Sequence, residues 1–162
     1  MSMKSPIFEV AISGTHNISI PDKMAVPFIE AGKSRVQVKA TFGDRSISFH
    51  AALRKYQGHY VMMFSKSKQK ELQLLPNDQF QLQLFEDTST YGVEVPEEFE
   101  AVLSSDLEAF KIFESFTKGK QRGIIYMITR FKDSQRKIDK TLILCENLKR
   151  GIRGNKELLK AL

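Results

Sequence analysis

The side chains with the most evident chemical potential are eight cations in the last third of the chain: Lys118, Lys120, Arg122, Arg130, Lys132, Arg136, Lys137 and Lys140. Lys and Arg gathered this closely neutralise phosphate or carboxylate groups, and binding through them weakens steeply with salt. Arg136 and Lys140 stand four residues apart, so on a helix they share a face, expected to lie opposite a buried stripe of Ile138 and Leu142. A smaller set, Lys66, Lys68 and Lys70, falls at the start of a short expected helix. No base-reading motif accompanies either set, and a Lys-rich face is in the first place a solvated one. The eight are therefore candidate polyanion contacts and nothing more specific.

Other chemistry is thin. His16, His50 and His59 are dispersed, and none has a second ligand at the spacing of a zinc site, so no metal residues are assigned. Gly119 and Gly123 have the wrong separation for a phosphate loop and lack its Lys-Ser/Thr ending. Glu97, Glu98 and Glu100 could pair as carboxylates, but they fit a solvated helix start better than the desolvated cleft that acid/base work needs. No Gly-x-Ser-x-Gly elbow occurs. The single cysteine, Cys145, lies in the apolar-rich run from Thr141 and reads as a small buried hydrophobe. These residues predict no catalytic group and no cofactor, hence a protein that is not an enzyme.

The elements that must position the cations divide the chain in two. Charge is uneven: residues 1–91 carry 11 basic and 8 acidic side chains, residues 92–116 carry one and seven, and residues 117–162 carry 13 and four. Such asymmetry fits a polyanion surface or an acidic helix packed beside a basic one. In the first half, short alternating runs are broken by turn residues, which predicts strands. Phe8, Val10 and Ile12 alternate before Gly14, and Pro21 ends the run of Ile18 and Ile20. Val36, Val38 and Ala40 lead through Gly43-Asp44 to Ile47 and Phe49, a hairpin, and Gly58 marks another turn. Phe80, Leu82 and Leu84 alternate with glutamines, so one face of that strand is wet.

A shift of 44 positions lays one strand–helix–turn–strand unit on another: Ile18 and Ile20 fall on Met62 and Phe64, and Val36 and Val38 on Phe80 and Leu82. Two such units facing each other would close a small barrel. From Pro96 the period becomes helical. Phe99, Val102 and Leu103 form one stripe. Asp106 is placed to cap a second helix, Gly119 and Gly123 lie near a third start, and Ser134 is placed to cap a fourth, whose Ile138, Thr141, Leu142, Cys145 and Leu148 lie at three- and four-residue spacing. Gly151 and Gly154 interrupt that helix, and Leu158, Leu159 and Leu162 predict a short last one.

From Gly58-His59 onward the chain resembles the bacterial YdeI/OmpD-associated, or bacteriocin-protection, family in the form with an N-terminal barrel domain of unknown function. The resemblance runs through Ser65-Lys66, Leu75-Pro76-Asn77-Asp78, Glu86-Asp87 and Val93-Glu94-Val95-Pro96-Glu97. It continues at Arg122, Tyr126, Ile128, Lys132, Arg136, Ile138 and Leu148-Lys149-Arg150-Gly151. Met127 stands where relatives carry tryptophan. The resemblance implies a barrel similar to the double-split barrel of AbrB/MazE-type proteins, and it brings no catalytic residues with it. The expected fold is therefore α+β, with a closed β-barrel of the double-split type, a pseudo-twofold repeat with short helices, over residues 1–92 and a small helical bundle over residues 93–162.

Three functions fit these readings. The first is an accessory protein that binds a macromolecular partner, a protein before a nucleic acid, in stress or bacteriocin tolerance. The second is a DNA-binding regulator that uses the basic C-terminal helices. The third is a small-ligand binder with a cleft between barrel and bundle, where His59, Tyr91 and Tyr126 would converge. With no apolar run near the length of a membrane span and no secretory pattern over Met1 to Phe8, a soluble, cytoplasmic protein without membrane contact is expected.

Overall fold

A computed structural model describes residues 3–161, which form two compact units divided after Gly92. The first unit carries β1 (Phe8–Ser13), β2 (Asn17–Ile20), α1 (Asp22–Glu30), β3 (Arg35–Phe42), β4 (Arg45–Ala52), β5 (Arg54–Tyr56), β6 (His59–Met63), α2 (Lys66–Glu71) and β7 (Gln79–Glu86). Its strands make one antiparallel sheet in the order β4-β3-β7-β1-β2-β6-β5. The chain is thus α+β, as expected, but the expected barrel is not closed. The edge strands β4 and β5 are separated by Leu53 alone, so hydrogen bonding passes from β3 to β6 within one stretch of chain. Among the described residues no ladder joins β4 to β5 or β6.

The 44-residue repeat is visible in the register. Ile18 pairs with Met62 and Lys39 with Gln83, and in each pair the partners are 44 positions apart. An antiparallel ladder centred on equivalent residues relates its two strands by a local twofold. The β3–β4 and β5–β6 hairpin turns have two residues each, and the β1–β2 turn has three. Gly43 at φ 61° precedes Asp44, while Gln57 and Gly58 lie at φ 50° and 81°, the left-handed pair that matches strand twist.

Alternation places Val36, Val38, Ala40, Phe80, Leu82 and Leu84 in one buried cluster with Phe28 of α1. Phe64 lies at its centre, its ring 5.5 Å from Phe49 and 5.2 Å from Phe80. The opposite face of β3 and β7 carries Gln37, Lys39, Gln81 and Gln83, the wet side expected of a one-sided antiparallel sheet.

The second unit holds α3 (Glu97–Ser104), α4 (Leu107–Glu114), α5 (Lys118–Thr129), α6 (Ser134–Lys149) and α7 (Asn155–Leu158). Asp106 caps α4 as expected, accepting from the Ala109 amide at 3.2 Å. Two expected helix starts move. Asp133, not Ser134, caps α6, because its carboxylate reaches the Arg136 amide. α5 begins at Thr117, whose hydroxyl accepts from the Lys120 amide, and Gly119 and Gly123 lie inside the helix.

The buried residues of α6 are Thr141, Leu144, Cys145, Asn147 and Leu148. Of the expected set, Thr141, Cys145 and Leu148 are buried, whereas Ile138 is half-buried and Leu142 is 50% exposed. Thr141 satisfies its hydroxyl on the Lys137 carbonyl and so takes the buried position despite its polarity. Leu158 is buried in α7, and Leu162 lies outside the described residues. Among the described residues no helix is long and apolar enough to cross a membrane.

Candidate functional site

The eight sequence-selected cations separate into those held by their own chain and those turned outward. Lys120 is held: its ammonium donates to the Asn155 side chain at 2.9 Å and to the Arg153 carbonyl, and it lies 5.1 Å from the centre of the Phe116 ring. Arg153 approaches the same ring at 5.8 Å while donating to the Leu148 carbonyl, so Phe116 is bracketed by two cations that fasten α5 to the chain after α6. Lys137 is half-buried, and Glu98 of α3 lies within reach of its charge. Arg122 is half-buried and Lys118 exposed.

The other four cations gather in sequence and space around Phe131, in the turn from α5 to α6. Arg136 stacks 5.2 Å from its ring centre, and Lys140 lies 5.8 Å away. Arg130 and Lys132 flank the ring in sequence and are exposed. A four-residue spacing puts Arg136 and Lys140 on one helix face. The half-buried phenyl holds their flexible stems against it, which lowers the entropy lost when a partner binds. Lys140 also donates to the Leu159 carbonyl at 3.2 Å. The two nearby acids are turned to other work: Asp133 caps α6, and Asp139 accepts from Gln135 at 2.9 Å. The patch therefore presents a net positive, partly pre-organised face.

In the first unit, Lys66, Lys68 and Lys70 lie on α2, and Lys68 packs its ammonium 4.9 Å from the Phe49 ring centre. Burial pushes the Lys68 ammonium down from its ordinary range, and Glu71 opposes that shift only in part. Sequence reasoning missed one polar cluster here. His50 Nδ1 lies 2.8 Å from Asp87 Oδ2, with both side chains almost wholly buried.

Burial alone would raise the Asp87 carboxyl, but hydrogen bonds from Ser89 and His50 outweigh it and hold the group below the usual carboxylate range. Arg35 Nε donates to the Gly92 carbonyl at 2.7 Å, and Gly92 donates back to the Ser89 hydroxyl at 2.9 Å. Together these contacts tie residues 87–92 to the ends of β3 and β4. The pair is 37 positions apart with no shared motif, so spacing could not reveal it. His16 bonds to its neighbour Thr15 at 2.7 Å. Among the described residues no three His, Cys, Asp or Glu side chains are placed so that they could hold a metal ion.

The chain thus combines a sheet unit with one wet face and a helical unit in which several charged side chains lie against aromatic rings. Residues 4–84 match the family profile of a domain of unknown function, DUF1905, and residues 92–151 match the bacteriocin-protection, YdeI or OmpD-associated family. The chain belongs to the DUF1905 family, with a YdeI/OmpD-associated tail. No curated protein and no solved structure matches it significantly.

Proposed function

We propose that this chain is a non-enzymatic accessory protein, connected with bacteriocin tolerance as its tail family is described, that binds an anionic macromolecular partner through the patch around Phe131. The observation that carries the reading is the stacking of Arg136 and Lys140 on one half-buried ring between exposed Arg130 and Lys132. Two cations on one ring, with two exposed ones beside it in sequence, suit carboxylates or phosphates on a surface better than a reacting group in a cleft. An acidic protein surface is the first partner, since nothing in the patch reads a base edge.

Fluorescence anisotropy with an acidic polypeptide, and with mixed duplex DNA and single-stranded RNA at several salt concentrations, tests this. Binding of the acidic polypeptide that is lost in Arg136→Glu with Lys140→Glu supports the patch. Tighter binding of duplex DNA, with a log–log salt slope of about −3 to −4 from four neutralised phosphates, would replace the protein partner with a nucleic acid. No binding of any probe at low salt would remove the patch from the function.

A further inference from the structure

Beyond the basic patch, the second unit carries a surface of opposite character. Glu97, Glu98, Ala101 and Val102 of α3 face Ser134 and Ile138 of α6 across an open groove of about 390 Å³. The floor is apolar, formed by Ala101 with half-buried Val102 and Ile138. Two carboxylates stand at one end; no Lys or Arg lines the groove itself, and Lys137 acts on Glu98 and leaves exposed Glu97 as the carboxylate offered to a partner. Glu98 takes a hydrogen bond from Ser134, which sets its carboxylate at the rim, and exposed Glu97 stands beside it. α3 is anchored by other residues, Phe99 and Leu103, so the groove positions are not the ones that hold the helix in place.

An apolar floor beside carboxylates complements apolar side chains at i and i+4 that are flanked by Lys or Arg, the pattern of a basic amphipathic helix. From Glu97 to Ser105, α3 rises about 12 Å, room for roughly two turns of such a helix. We propose that the groove between α3 and α6 docks a short basic amphipathic helix of a protein partner. Ser134 and Ile138 each stand two positions from Arg136 and Lys140, about 200° around α6, so groove and patch face apart. The groove therefore binds its helix whether or not the patch binds an anion.

The experiment is a chemical-shift titration of the full chain with three synthetic helices: Leu pairs at i and i+4 flanked by Lys, the same Leu pairs flanked by Glu, and the Lys version with Leu replaced by Ser. The Leu/Lys helix is expected to move the signals of Ala101, Val102 and Ile138, and to bind at least about tenfold more tightly than either control. Ala101→Arg, at an exposed position, is expected to abolish these shifts with the melting temperature unchanged. Should that variant unfold, exposed Glu97→Lys serves instead, with an expected loss of about tenfold in affinity. Equal affinity for any two of the helices, shifts elsewhere only, or undiminished binding to both variants overturns the proposal.

Discussion

In the sheet unit apolar burial follows strand alternation, and polar contacts sit at the strand ends. In the helical unit the polar contacts run through the packing itself. Lys33 meets Glu86 at 2.6 Å at the end of β7, and His50 and Asp87 close the neighbouring end. By contrast Lys149 joins Asp106 at 2.8 Å beneath α4, Asn147 donates from the bundle interior to the Leu158 carbonyl at 3.0 Å, and Lys120 and Arg153 bracket Phe116. The +9 charge of residues 117–162 therefore overstates what is offered to a partner, because Lys120, Lys149 and Arg153 answer to their own chain. Net charge counts side chains, and packing decides which of them face outward.

The largest expected effect breaks the sheet unit. Phe64 is fully buried with ring neighbours on both sides, so Phe64→Ala leaves a cavity between Phe49 and Phe80. A loss of about 3–5 kcal/mol is expected in urea unfolding followed by circular dichroism. A loss below about 1 kcal/mol would mean that the cluster collapses to fill the gap and is not the tightly specified core described above.

A smaller effect sharpens the contrast through pH. In the helical unit, hydrogen bonds from Lys149 and the Ala109 amide hold the Asp106 carboxyl below its ordinary range, although burial opposes them. A depressed carboxyl contributes stability that is present above its unfolded pKa, about 3.9, and lost as pH falls through the folded value; Asp87 behaves alike in the sheet unit. Lys149 is pushed up, mainly by Asp106 and Glu146, so its contribution is present below the unfolded lysine pKa of about 10.4 and lost as pH rises beyond it. Acid should weaken both units, whereas this loss in strong base belongs to the helical unit. Asp106→Ala, which also removes the α4 cap, is expected to cost about 1 kcal/mol at neutral pH. Asp106→Asn should keep most of the cap and flatten the pH dependence, and an unchanged urea midpoint–pH profile in Asp106→Asn would deny the ion pair its role.

How far the sequence was legible follows the same division. Alternation found β3 and β7, and the 44-residue shift laid Ile18 on Met62, which the sheet sets side by side, whereas Val36 and Val38, laid on Phe80 and Leu82, pair with Glu86 and Leu84. Barrel closure was not legible. Whether the edges of a sheet are hydrogen-bonded depends on where Leu53 carries the chain, which no periodicity encodes. Helix stripes were read less well. Along α6 the three- and four-residue spacing found buried Thr141, Cys145 and Leu148, but it also took in exposed Leu142 and passed over Asn147, a polar residue that is buried because it satisfies its amide on the Leu158 carbonyl. Of the candidate site, the shared face of Arg136 and Lys140 was visible from spacing, whereas the ring beneath them and the capture of Lys120 required the packing.

The smallest expected effect concerns Cys145, on the helix that carries both proposed surfaces. Its thiol is 2% exposed, and burial, with Asp106 adding and Lys149 opposing, pushes it up to about 11. At pH 8 roughly one thiol in a thousand would then be ionised, and that one would still be enclosed. Alkylation of the native protein should be negligible over the time in which the urea-unfolded chain reacts completely, with no change in anisotropy titrations after exposure to the reagent. Labelling of the native chain at the unfolded rate would mean that α6 opens readily. The stacked cations and the groove would then belong to a fluctuating helix, and the firm packing that distinguishes the helical unit's charged side chains from ordinary surface ones would be lost.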